Sequence, residues 1–496
     1  MSILKSLAKE TAIYGLSYSL VRVLNFVLLT PFLAILFKGE KGFLAIHADV
    51  YLYIALGIAF LTWRMETAYF RFIKEETHQK TIFIHASQLV WISCFIFLIL
   101  VYFLNEKIND ILLFPNLKSH ILVAAWIIVF DVICSLPFAK MRYEGKAKKY
   151  ALLKVSSVIL NLVFVFLLLY FLPKYDIKYE AVKASGSSVL YAVLVANLAA
   201  SFFSFIMLFN EWKSIFSLSN KWKGFSKILQ YTIPLIVVTA AYTLNQFGST
   251  SFLKYLLPGT AAENFLHSAD FNAAFRLAVI MSIFVTAFNY AVEPFFFRYQ
   301  KEADAKHKYA QISVYFTIAC CIILMGTSLF SEFAALMFPK NYRGSMHLLT
   351  LLLLSNYFIG LSSNFSTWYK LTDRTWASAR ISIFSLLLTF ILSMILIPRY
   401  GVDASAWILL ISNIFIAVAS YIQGKKHYPI DYPLSRIILY LLIALTIVYF
   451  LPRIYDYLSF NVLMKSSINM LIIIFFGYSC FKYEETKWIA QYSNKF

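Results

Sequence analysis

The chain has 496 residues, of which 60% are hydrophobic and 14% charged, and its formal net charge is +19 at pH 7. Soluble domains carry roughly 45–50% apolar and about 25% charged residues, so this composition, with a mean hydropathy of +0.71, excludes an ordinary soluble enzyme and a disordered chain. The excess of positive charge does not argue for nucleic acid, because in a membrane protein the sidedness of Lys and Arg carries the information.

Apolar runs long enough to cross a bilayer, about 20 residues each, recur along the whole chain. In order they lie near 12–37, 43–63, 81–104, 120–139, 150–172, 187–209, 228–257, 272–292, 310–331, 345–368, 376–397, 403–423, 435–451 and 462–481, which predicts fourteen spans. The first follows only Lys5 and Lys9, is too long for a signal-peptide core and is not followed by a small-residue cleavage site, so it reads as an uncleaved span. The remaining residues make short loops, and no segment can hold a soluble domain of ~100 residues. With the amino terminus placed inside, 28 Lys and Arg fall in cytoplasmic segments and 13 outside, while Arg22, Lys154 and Arg276 lie within spans. That asymmetry predicts two cytoplasmic termini and an even span count.

Several chemistries are disfavoured. The longest outside loop, around 173–189, is too short for the large external loops on which membrane glycosyltransferases and glycan polymerases usually carry their catalytic groups. The pairs Gly145-Lys146 and Gly424-Lys425 lack the rest of a phosphate-binding loop, and no His-Glu-x-x-His occurs. Five cysteines form no Cys-x-x-Cys, so neither a zinc site nor a disulfide framework is expected. The chain reads as a non-enzyme.

The chain also echoes itself. Glu66-Thr-Ala-Tyr-Phe-Arg71 at the end of span 2 matches Glu293-Pro-Phe-Phe-Phe-Arg298 at the end of span 8. Arg142 and Lys146 after span 4 match Lys370 and Arg374 after span 10. Both echoes are six spans apart, which predicts parallel repeats about an axis along the membrane normal. The expected organisation is an amino-terminal lobe over 1–212, a second lobe over 213–427, and two further spans with a cytoplasmic tail over 428–496. Such lobes suggest a central cavity and alternating access.

Polar residues on single helical faces are the candidates for that cavity. Span 1 carries Tyr14, Tyr18, Arg22 and Asn25; span 7 carries Tyr242, Asn245, Gln246 and Ser249 beyond Pro234; span 8 carries Asn272 and Arg276; span 10 carries Asn356, Gly360, Ser363, Asn364 and Thr367. An arginine within the bilayer is costly, about 2.5–3.5 kcal/mol on insertion scales. Arg22, Arg276 and Arg64 therefore either face water and hold an anionic head group, for which a planar fork suits phosphate, or serve as buried partners or snorkelling anchors. Asp131, read as the one acidic residue well inside a span, is a candidate ion-coupling site or a partner for an arginine. Glu66, Arg71, Glu293 and Arg298 are candidates for a cytoplasmic gate closed by ion pairs between lobes. The alternative is an ordinary solvated span end.

These features together resemble the MOP exporter superfamily, and within it the oligosaccharide flippases of the Wzx type. The resemblance rests on the opening Ala8-Lys9-Glu10-Thr11-Ala12-Ile13-Tyr14-Gly15-Leu16, on Met65–Phe72, on Pro137–Arg142 and on Gln230–Leu235. It implies an all-α polytopic membrane protein of about fourteen spans, with two pseudo-symmetric six-helix lobes and two carboxy-terminal helices, as in MATE transporters and lipid II flippases. It implies movement of an undecaprenyl-diphosphate-linked oligosaccharide across the bacterial inner membrane, with Arg22, Arg64 and Arg276 in spans comparable to those that hold the diphosphate in lipid II flippases. It further implies no cofactor beyond H+ or Na+ as coupling ion, contact with membrane lipids and with glycan polymerase machinery, and no nucleic acid. A lipid II flippase and a MATE-type antiporter are the alternatives. The absence of Asp and Glu from span 1 favours an anionic substrate over the antiporter's cation.

Overall fold

A computed structural model describes residues 23–73, 79–171, 185–212, 225–299, 302, 304–366, 368–369 and 375–493. Among them the secondary structure is helical, with no strand. Within hydrocarbon no water can satisfy a peptide group, so the backbone must close its hydrogen bonds inside each helix. Among the described residues thirteen helices are long and apolar enough to cross a membrane, and they coincide with predicted spans 2 to 14. The protein is a multi-pass membrane protein. The first predicted span is described from residue 23, where a π-helical turn, Asn25–Leu29, leads into α1 (Thr30–Leu36) with Pro31 in its first turn. Tyr14, Tyr18 and Arg22 lie outside the described residues.

The next helices are α2 (Gly42–Leu61), α3 (Met65–Phe72), α4 (Gln79–Ile111), α5 (Lys118–Tyr143), α6 (Ala147–Phe166), α7 (Gly186–Met207) and α8 (Phe209–Trp212). They are followed by α9 (Phe225–Phe247), α10 (Ser249–Leu256), α11 (Ala261–Tyr299), α12 (Ala305–Leu329) and α13 (Ser331–Ala335). The chain closes with α14 (Leu349–Phe365), α15 (Thr375–Tyr400), α16 (Val402–His427), α17 (Leu434–Tyr457) and α18 (Val462–Ser493).

Three details differ from the sequence expectation. Predicted span 7 is interrupted at Gly248, where a Cβ would lie 2.3 Å from the Leu244 carbonyl oxygen, so the chain needs glycine there and restarts as α10. Predicted span 8 is the middle of a 39-residue helix, α11. Its first three turns carry Glu263, His267 and Asp270, whose charges read as a loop; Asp270 is neutralised by Lys41 at 3.2 Å. Finally, Asp131 is not the one acidic residue inside a span, because Asp49 lies within α2 and is fully buried.

By contacts the chain divides into a first unit, 1–272 with 382–405, and a second, 273–381 with 406–496. In the first unit α5 is the central helix and packs on α2, α3, α4, α6 and α7, while α9 packs on α2 and α3. Most of the apolar stretch of α5 is buried, whereas little of α4 and α6 is. Phe95, Ile96, Leu100 and Phe103 of α4 face outward as a membrane surface requires.

In the second unit α12 is central and packs on α14, α17 and α18. Lipid is as apolar as leucine, so helix association there depends on close packing and polar ties rather than on water exclusion. Both are present. Gly360 of α14 sits under Phe316 and Val285, where a Cβ would meet the Phe316 ring at 2.3 Å. Phe316 stacks on Tyr357, whose hydroxyl lies 3.1 Å from Thr317. The pair α17–α18 is tied at both ends. Arg436 pairs with Glu484, which also accepts from the Tyr440 hydroxyl at 2.6 Å. At the other end Asn469 accepts from Tyr455 at 2.8 Å and donates to the Leu329 carbonyl of α12 at 3.1 Å.

Gly360→Leu should force α14 off α12 and cost about 1–3 kcal/mol by overpacking. Thermal unfolding in detergent should show a lowered midpoint, and an unchanged midpoint would contradict the close approach.

Candidate functional site

The helix that opens span 2 does not continue to its end. Trp63 and Arg64 both adopt left-handed backbone, with φ of 49° and 52°, and separate α2 from α3. Non-glycine residues in that region cost about 1–3 kcal/mol each and persist where surrounding structure enforces them. The enforcement is visible: Trp63 Nε1 donates to Ser93 Oγ at 2.9 Å, and that hydroxyl donates to the Leu89 carbonyl at 2.8 Å. Arg64 then stands at the amino terminus of α3, whose dipole adds to its positive charge. The Arg64 side chain is half-buried, and its Nε is buried with no hydrogen-bond partner among the described residues. The backbone is strained here to present an arginine with spare donor capacity.

A belt of charges follows on the same unit. Glu66, in the first turn of α3, accepts from Arg142 Nη2 at 2.9 Å. Arg71, in the last turn, lies over the Tyr231 ring of α9 at 4.5 Å. Glu211 of α8 gathers Lys140 at 3.2 Å, Lys149 at 3.3 Å and Lys146 at 3.7 Å. Burial would push the Glu211 carboxyl up, but these lysines outweigh it and hold the group below its ordinary value of 4.5.

The remaining candidates are distributed as follows. Asn245 is buried on α9; it donates to Ser385 at 3.2 Å and accepts from Thr389, both on α15. Gln246 beside it is buried and engaged. Ser201 of α7 and Lys154 of α6 are the polar and the cationic neighbour of Asp131. Lys154 also lies 4.2 Å over the Phe138 ring. In the second unit Arg276 is half-buried and engaged on α11. Asn356 donates to the Leu352 carbonyl at 3.0 Å and to the Ala278 carbonyl of α11 at 3.4 Å. Asn364 is buried, and its carbonyl accepts from Tyr432 at 3.2 Å. Glu293 and Arg298 lie on the last turns of α11, and Asn25 in the π-helical turn; their side chains fall outside what is described.

One cluster escaped the sequence. Lys254 of α10 and Asp49 of α2 form an ion pair at 2.7 Å with both side chains fully buried. Lys254 lies among the rings of Tyr53, Phe114, Tyr255 and Phe265. Near the end of a predicted span Lys254 looks like an outside anchor, and Asp49 hides in an otherwise apolar run. The available signal was an acid six residues inside span 2.

The fold is shared by solved transporters. The chain is similar to the Vibrio cholerae MATE transporter VcmN in its bent form, at 16% identity and a TM-score of 0.55 over 86% of this chain and 98% of that one. It is similar to an inward-facing multidrug resistance MATE family transporter of the MOP superfamily, at 15% identity and a TM-score of 0.62 over 82% and 97%. The outward-facing conformation of a multidrug resistance MATE family transporter matches at 16% identity and 0.56 over 84% and 95%. No curated protein matches the chain. Residues 7–300 match the family described as polysaccharide biosynthesis protein, and the chain belongs to that family.

Two predictions follow from the charged belt. Exchanging Glu66 and Arg142 in one double variant should restore part of the stability that either single reversal removes. For a half-exposed pair the coupling should be about 0.2–1 kcal/mol, and a double variant no better than the singles would show that the two do not pair. Because the Glu211 carboxyl is held low, its contribution is complete above its ordinary 4.5 and is lost as pH falls through the depressed value. Wild type should therefore unfold at a higher temperature than Glu211→Gln near neutrality, with the two converging in acid; a gap independent of pH would remove the ionised carboxylate as its cause.

Proposed function

We propose that this protein carries a polyprenyl-diphosphate-linked oligosaccharide from the inner to the outer leaflet of a bacterial cytoplasmic membrane, by alternating access driven by an ion gradient. The observation that carries the proposal is Arg64, held in left-handed backbone with its Nε unpartnered among the described residues. A guanidinium with an unused donor is suited to the paired oxygens of a diphosphate, which its fork can bind bidentately while keeping its charge. Family membership supports a polysaccharide precursor as cargo. The lack of any acidic residue in the first span supports an anionic rather than a cationic substrate. Arg22 and Arg276 are proposed as further diphosphate contacts on the same sequence argument. In this reading both termini are cytoplasmic, the glycan crosses through the protein and the polyprenyl tail stays in lipid.

Deletion of the gene should abolish one surface polysaccharide, with its diphosphate-linked repeat unit accumulating in the membrane. Arg64→Ala should reduce export at least about tenfold at normal protein level, with Arg64→Lys intermediate because a point charge replaces the fork. An unchanged surface glycan in the deletion strain would overturn the reading. Lysis with accumulation of lipid II would transfer the same chemistry to the peptidoglycan precursor.

A further inference from the structure

Lys254 and Asp49 are fully buried, yet the pair is not a packing accident at the end of one helix. It joins α2 to α10, segments 205 residues apart in the chain. Asp49 Oδ2 accepts from Lys254 at 2.7 Å, and Oδ1 accepts from the Ser251 hydroxyl. The ammonium donates as well to the Leu112 carbonyl at 2.8 Å and to the Tyr53 hydroxyl at 3.4 Å. Tyr53 lies 3.2 Å from Ser251. A buried ion pair is seldom a net gain in stability over an apolar pair of similar volume, so its presence in an aromatic box calls for another reason.

The helix it holds is short and bounded by glycines. α10 is two turns long, separated from α9 by Gly248 and followed by Gly259 at a φ of 130°. Its lateral ties are made by side chains. Besides the hydrogen bonds of Lys254 and Ser251 just described, they are Tyr255 to the Ile111 carbonyl at 2.6 Å, Asn264 to the Lys254 and Leu257 carbonyls at 3.1 and 3.0 Å, Thr250 with Asn272, and the Phe252–Phe390 ring contact. The ion pair is the charge-dependent tie among these.

We infer that the Asp49–Lys254 pair is a proton-binding site whose occupation releases α10 from α2. This rests on the transport reading above, for which it names the coupling ion and its position. The chemistry selects a proton over a sodium ion. Sodium would need several oxygen ligands around an empty centre, whereas here an ammonium already fills the position facing the carboxylate. A proton needs only one Asp49 oxygen. On uptake, a proton from the aqueous phase adds to the carboxylate, the Asp49–Lys254 ion pair becomes a neutral acid beside an ammonium, and the site gains one positive charge. On release the proton returns to water and the pair re-forms.

The groups facing the pair allow this assignment. From α2 comes Tyr53 and from α10 come Tyr255 and Ser251, of which the two phenols are the titratable ones. The end of α4 and the turn after it offer the Leu112 carbonyl and the Phe114 ring, and α11 offers the Phe265 ring and Asn264. Among these, Asp49 and Lys254 are the charged groups.

The test is hydrogen–deuterium exchange of the full-length protein in lipid nanodiscs between pH 8 and pH 5.5, corrected for intrinsic exchange rates. Protection of 249–256 should fall about tenfold on acidification in wild type and in Asp131→Asn. In Asp49→Asn it should be low at both pH values. Should the lone ammonium left in that variant prevent folding, Asp49→Asn/Lys254→Met removes both charges and should show protection independent of pH. Protection of α10 that stays constant with pH in wild type, or that retains its pH dependence in the double variant, would overturn the proposal. The exchange measurement needs no substrate, so its failure is separate from failure of the export assay. Wild-type pH dependence without any glycan phenotype in the deletion strain would leave the proton site standing and remove the flippase.

Discussion

The bilayer forbids an open peptide group, and the rest of this structure depends on that constraint. A chain that must satisfy its backbone inside each span becomes a set of long helices, and any departure from helix needs local support. Two departures carry the most consequence. At Trp63–Arg64 two bulky residues adopt left-handed backbone, and the tryptophan is pinned to Ser93. At Gly248 the missing side chain lets the chain restart as a short helix. The first break exposes a cation at a helix amino terminus; the second frees a two-turn segment whose attachment then falls to side chains.

Within each unit the cations fall into two kinds. Lys140, Lys146, Lys149 and Arg142 are answered by Glu211, Glu144 and Glu66. They make a belt whose strength is limited by its exposure. Arg436 and Glu484 belong to the same kind and hold the last two helices together. Arg64 is different, because its backbone is strained and, unlike Arg142, it has no carboxylate partner among the described residues. The transporters with which the chain shares its architecture, at 15–17% identity, establish the scaffold and not the cargo. Under the transport proposal, the sign and spare hydrogen bonding of such residues point to the cargo.

Much of this was legible in the sequence because hydropathy over twenty residues reports directly on burial in lipid. Spans 2 to 14 lie where the apolar runs place them, and Arg64 was marked out by its charge near the end of one. The sequence failed where a polar residue is spent on another helix. Asn245 looks like a cavity residue but is bound to Ser385 and Thr389. Gly360 shares a face with polar residues but serves the approach of α14 to Phe316 and Val285. The long start of α11 was hidden because Glu263, His267 and Asp270 resemble a loop until Lys41 is seen beside Asp270. A hydropathy window cannot see such partners, since they lie far away in the chain.

Donor counting separates Lys254 from Arg64 more sharply than charge does. Lysine has three N–H donors, and Lys254 finds three acceptors, in the Asp49 carboxylate, the Tyr53 hydroxyl and the Leu112 carbonyl. Its hydrogen bonding is complete within the protein, which suits a tie that opens only when one acceptor is altered. An arginine there would bring five donors in a rigid fork and leave some of them buried without a partner. At position 64 the fork is present, and its buried Nε has no acceptor among the described residues. A saturated cation holds the fold; an unsaturated one, kept in place by strained backbone, is suited to an anion that arrives from outside the chain.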